Sequence, residues 1–178
     1  MFRSLKLLPE IDEIPPDVCE WWDRAGSWSR NLSLEKEQKA KKKIGDKGEQ
    51  LSKDHEKART KKSPKWVSKD SDKYGYDIES IAEEGSEEAI FIEVKATSKT
   101  EKHAVFFVSQ NEGDKCSKFG EKYFFHFWIL AENGANLLII KGGDVMAHFP
   151  DNKGDGLWGD VKIPFAVFDW ENSVFVEY

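Results

Sequence analysis

The chain has 178 residues, of which 39% are apolar, 34% charged and 13% aromatic. These are the proportions of one compact domain with appended segments, and they exclude two large domains. Two lone cysteines, Cys19 and Cys116, stand outside any CxxC or Cys/His spacing, which argues against a zinc ribbon and a disulfide scaffold. No apolar run approaches about 18 residues, so a soluble, cytoplasmic protein with no membrane contact is expected.

The formal net charge of -6 conceals an asymmetry, because residues 36–73 hold 14 Lys or Arg against 7 Asp or Glu. Such a segment reads either as a solvated lysine-rich helix or as a face for phosphates.

Residues 1–32 carry Pro9, Pro15 and Pro16 and the cluster Trp21, Trp22 and Trp28. They predict an irregular arm rather than one long helix. Aromatics this dense need burial, on the arm's own domain or on another chain. After Ser33, read as an N-cap with Glu35 and Glu37 in the first turn, a helix is expected to about residue 62. Gly45 and Gly48 fall inside it, each costing about 1 kcal/mol relative to Ala. They mark either a break between two helices or a place of close backbone approach.

Beyond Pro64 the pattern turns extended, with strands expected at 66–68, 76–82 and 89–97, the last two joined by the acidic loop 83–88. A short strand at 105–108 follows. Ser109 with Glu112 three residues on fits a capping box that opens a helix through about residue 119, where Gly120 ends it. Strands are expected again at 123–130, 137–140 and 174–176. The order gives an α/β fold with a central mixed sheet flanked by helices. The organisation expected is an arm at 1–32, a core at 33–142 and a C-terminal β extension at 143–178 packing on the core.

One strand breaks its own apolar pattern. In Ile92-Glu93-Val94-Lys95-Ala96, period-2 geometry puts Glu93 and Lys95 on one face. The preceding strand brings Asp77 beside them. Two carboxylates can hold Mg²⁺ or Mn²⁺ while leaving positions for water and phosphate, and an ammonium there can orient or help deprotonate the water and offset transition-state charge. The competing reading is a cross-strand ion pair on a solvent-facing sheet, which contributes only about 0–1 kcal/mol. His55, His103, His126 and His148 are scattered, and His126 reads as a core imidazole. Gly142-Gly143 and Gly154-Asp155-Gly156 lack the tail of a phosphate-binding loop and read as turns.

The ordered set Asp77, then Glu93-Val94-Lys95, resembles the PD-(D/E)XK nucleases. The longer string is more specific: Gly45-Asp46-Lys47-Gly48-Glu49, Gly75-Tyr76-Asp77-Ile78, Ile92 to Thr97, then Ser109-Gln110-Asn111-Glu112. It resembles, over about residues 41–130, the nuclease-like domain at the C-terminus of the plant protein NO VEIN, which also occurs in bacterial restriction-type and helicase-associated proteins. The resemblance implies a restriction-endonuclease-like core, αβββαβ, and a Mg²⁺- or Mn²⁺-dependent endonuclease acting on DNA rather than RNA, in restriction or anti-phage defence. It makes Asp77, Glu93 and Glu49 metal ligands, with Lys95 and Gln110 beside them in catalysis. Ser109 and Glu112 match a family element too, yet the capping box accounts for both. Tyr74 and Tyr76 are expected to pack, for instance on Trp66, rather than stack on a base. The alternative is a nuclease-fold interaction module without activity of its own, recruited through the Trp-rich arm to a larger complex. The same arm is the place for a protein partner or a homodimer.

Overall fold

The computed structural model describes residues 16–69, 74–150 and 158–178. Residues Met1–Lys41 form one compact unit and Lys42–Tyr178 a second.

Helix α1 (Pro16–Thr60) begins inside the segment expected to be irregular. Pro16 stands at its first position, where the missing N–H has no partner to lose and φ is already helical, so the proline opens the helix. Ser33 is therefore an interior residue and not a cap. Neither Gly45 nor Gly48 breaks the helix. In the first unit Arg24 pairs with Glu20 at 3.6 Å. Trp21 is 60% exposed, against the expectation of burial. The side chains of Trp22, Trp28 and Cys19 lie outside the described residues, as do residues 1–15.

The second unit is a mixed α/β structure. Its strands are β1 (Lys65–Trp66), β2 (Ile78–Ile81), β3 (Ala89–Thr97), β4 (Val105–Ser109), β5 (Tyr123–Leu130), β6 (Gly134–Lys141), β7 (Asp160–Pro164) and β8 (Val174–Glu177). Helices α2 (Gln110–Phe119) and α3 (Gly142–Met146) complete it. Six strands form the central sheet in the order β1-β2-β3-β5-β6-β8. Among the described residues only β3 and β5 run parallel, with Glu93 opposite Phe125 and Lys95 opposite Phe127. The chain crosses between them through β4 and α2, and β4 leaves the central sheet to pair with β7.

The alternation of side chains divides the core in two. On one face Leu51 of α1 packs with Trp128, Ala135 and Leu137, flanked by Val94 and Ala96. On the other, Phe125, Phe127 and Leu138 pack with Phe106, Val108, Cys116, Ile163 and Phe165. Each fully buried ring contributes about 2–3 kcal/mol by leaving water. α1 lies very close to its face, since a Cβ on Gly48 would stand 2.6 Å from that of Ala96. Gly48 thus marks close approach rather than a break. A Cβ on Gly45 would meet nothing within 4 Å. No helix among the described residues is long and apolar enough to cross a membrane.

Candidate active site

The β2–β3 pair sets the first carboxylate. Asp77, one residue before β2, donates its N–H to the Ile92 carbonyl at 2.9 Å. Its Oδ2 accepts the Val94 N–H at 2.8 Å. The turn before it is fixed from beneath, because the buried Tyr123 hydroxyl donates to the Gly75 carbonyl at 2.7 Å. Gly75 has φ +68°, and a Cβ there would come 2.7 Å from Lys115 Cγ. Only glycine meets both demands without strain.

Glu93 and Lys95 share the face that carries Phe125 and Phe127, beneath β4 and α2. Lys95 Nζ lies 2.7 Å from Glu93 Oε1 and 3.0 Å from Glu112 Oε2. Glu93 is 5% exposed, so the reading of a solvent-facing ion pair fails. Glu112 also accepts the Ser109 N–H at 3.0 Å, while Ser109 Oγ accepts the Glu112 N–H at 3.4 Å. The expected capping box is therefore present, and the same carboxylate serves the lysine.

Glu49 follows Gly48, so the close approach of α1 brings its carboxylate to the sheet's edge. That carboxylate accepts hydrogen bonds from Trp66 Nε1 and Ser68 Oγ. Its charge reaches Asp77, whose pKa is pushed up to about 7 by burial first and by Glu49 next, against the opposing Val94 N–H and Lys95. Glu93 is held well above the carboxylate range by burial and then by Asp77, with Lys95 opposing. Lys95 goes the other way: burial lowers its pKa, but Glu93 and Glu112 outweigh it and keep the ammonium charged. Two carboxylates therefore hold the ammonium, and Asp77 beside them feels the charges of Glu49 and Glu112 as well, an excess of negative charge.

A cleft of about 160 Å³ opens onto this cluster, with Ser68, Asp77, Glu93, Asn111 and Glu112 among the residues lining it. Gln110 is not among them, and its N–H donates to the Gly159 carbonyl at 2.9 Å. Tyr76 lines the cleft but packs on Phe91 and Phe119, with ring centroids 4.9 and 5.9 Å away. It contacts Tyr74 at 6.1 Å. Trp66 takes neither tyrosine and instead meets two lysines. His126 is a core imidazole, with Nδ1 3.2 Å from Ser52 Oγ, and burial drives its pKa down to about 3. Among the described residues no three Asp, Glu, His or Cys side chains form a ready cation cage.

Sequence reasoning assigned Glu112 to the cap alone and missed Trp66 and Ser68 as the holders of Glu49. No local pattern marks Trp66.

The family model described as Protein NO VEIN, C-terminal matches residues 48–140. The chain belongs to that family. No curated protein and no solved structure matches. The NO VEIN C-terminal match begins at Gly48 and takes in Glu49, Asp77, Glu93, Lys95, Gln110 and Glu112. It ends within β6, so β7 and β8 lie beyond the NO VEIN C-terminal region.

Proposed function

We propose that this chain is a metal-dependent nuclease of the PD-(D/E)XK type, hydrolysing phosphodiester bonds of DNA. The observation that carries the reading is the cluster in which Glu93 and Glu112 hold Lys95 while Asp77, beside them, is crowded by the charge of Glu49. Carboxylates crowded until Asp77 holds its proton to about pH 7 call for a further cation.

The donor set fits Mg²⁺ or Mn²⁺. Mg²⁺ keeps most of its water and takes one or two carboxylates rather than a protein cage, and Asp77 with Glu93 supplies that, with Glu49 beside them. When bound, such an ion polarises a phosphate oxygen and lowers the pKa of a bound water. The chain's own part is separate. Glu93 and Glu112 hold Lys95 from two sides, so its ammonium keeps its charge and offsets the charge growing on the phosphate oxygens. Tyr123 and Gly75 fix the turn that aims Asp77. Glu49 is oriented by Trp66 and Ser68.

The test incubates purified protein with supercoiled plasmid and with single-stranded DNA, at one salt concentration, in Mg²⁺, Mn²⁺ or EDTA. Metal-dependent cutting that both Asp77→Ala and Lys95→Ala abolish is the expected result. A folded protein that cuts neither substrate in either metal overturns the reading.

A further inference from the structure

One arrangement at the cleft has no part in the chemistry above. The indole of Trp66 gathers two ammoniums, Lys69 Nζ at 3.6 Å and Lys53 Nζ at 4.3 Å from the ring centroid. The ring itself is fixed, because its N–H reaches Glu49 and also Ser68 Oγ at 2.9 Å. Ser68 lines the cleft.

Two like charges on one ring repel each other, and a cation–π contact at a partly exposed site returns only about 0.5–1 kcal/mol. Among the described residues no carboxylate forms an ion pair with either lysine. Of the acids near Lys53 in the chain, Asp54 accepts from Gln50, Glu56 pairs with Arg59, and Glu49 accepts from Trp66 and Ser68. Positive charge therefore gathers on Trp66, beside Ser68 of a cleft lined by Asp77, Glu93 and Glu112. Both lysines are tied to the site by the chain: Lys53 comes one helical turn after Glu49 on α1, and Lys69 directly follows Ser68.

We propose that Lys53 and Lys69, seated on Trp66, form a phosphate-binding subsite that holds a backbone phosphate of the strand next to the one entering the cleft. It rests on the nuclease reading of that cleft. A phosphodiester approaching the cleft's carboxylates is repelled, and two cations on Trp66 offset that repulsion and fix the strand's register. The hydrogen bonds that join the ring to Glu49 link register to the acidic centre.

The experiment measures binding of a labelled DNA duplex, and of its single strand, by fluorescence anisotropy in Ca²⁺ across a salt series. The Lys53→Gln/Lys69→Gln protein is expected to bind about tenfold more weakly and to flatten the log–log salt dependence by about two. Lys53→Arg/Lys69→Arg should restore both, which separates lost charge from lost folding. Lys61→Gln/Lys62→Gln, just past α1 where Lys62 lies near Ile81 and Ala89, should keep the wild-type slope. A wild-type slope in the first pair, or an equal loss in the control pair, overturns the subsite. Cleavage in Mg²⁺ on the same preparations separates the two proposals. Wild-type protein that binds with the expected lysine dependence but cuts nothing overturns the nuclease reading and supports the subsite. Cutting with unchanged binding in the first pair overturns the subsite alone, and wild-type protein that binds no DNA overturns both.

Discussion

Lys95 Nζ stands 2.7 Å from Glu93 Oε1, two residues away on the same face of β3, with Glu112 closing on the ammonium from α2 at 3.0 Å. Removing the lysine leaves two poorly solvated carboxylates facing each other. Lys95→Met is therefore expected to lose about 3 kcal/mol of stability in metal-free buffer, the cost of breaking a buried pair from one side. Adding Glu112→Gln should recover part of that stability and none of the cleavage. Denaturant unfolding and plasmid nicking on the same two proteins check this.

Asp77 has the opposite problem, a pKa raised from 3.8 to about 7. A carboxyl that holds its proton longer when folded contributes most below its unfolded pKa, near 4. That contribution is lost as pH rises through about 7. In EDTA, Asp77→Asn should be more stable than wild type at pH 8 by about 1–3 kcal/mol, an advantage that vanishes near pH 4. Mg²⁺ or Mn²⁺ at 100 times its Kd should stabilise the wild type by about 2.7 kcal/mol and leave Asp77→Asn nearly unmoved. Thermal melts across pH and metal read both effects, and a pH-independent difference between the proteins would sink the first.

His126 titrates with the other sign. Burial lowers it from 6.5 to about 3, so its contribution is full above pH 6.5 and is lost as pH falls toward 3. His126→Phe gives up the Ser52 contact but has nothing to protonate. Between pH 7 and pH 4 the wild type should lose about 2–3 kcal/mol relative to this variant. Parallel unfolding curves would contradict that.

Gly48→Ala tests the close approach of α1. Helix propensity alone favours alanine by about 1 kcal/mol. The new methyl, however, would sit 2.6 Å from Ala96 Cβ, and overpacking of that kind costs about 1–3 kcal/mol. The substitution should therefore destabilise the fold and, by pushing Glu49 outward, lower cleavage. Ala96→Gly in the same chain should restore both, which a thermal melt and a cleavage assay will show.

What the sequence disclosed was whatever local chemistry decides. β3 spans Ala89–Thr97 and β5 Tyr123–Leu130, the bounds expected from apolar runs, and α2 opens on the Ser109 capping box and closes at Gly120 as expected. Asp77, Glu93 and Lys95 fall together because a hairpin and a period of two leave little freedom. Glu49 joins them through a glycine whose role depends on Ala96, 48 residues away in the chain. Pro16 misled, since a proline begins a helix as readily as it ends one. Trp66 was illegible for a different reason: a tryptophan's partners are chosen by tertiary packing, and here they are lysines and a carboxylate instead of tyrosines.

The pairing of β4 with β7 carries a consequence for how the site is assembled. Ser109, which caps α2 and steers Glu112, lies opposite Asp160, and the next N–H along, that of Gln110, is held by Gly159. The residues that recognise the family, 48–140, stop short of both. The stretch bearing the site residues is therefore not its own template. A loop of about 50 residues must close before α2 is anchored, and contacts of such long sequence separation form late. Lys95 should accordingly receive its second carboxylate among the last events of folding, and a domain cut at the family's edge would keep Asp77, Glu93 and Lys95 without the strand that anchors Ser109 and, through it, Glu112.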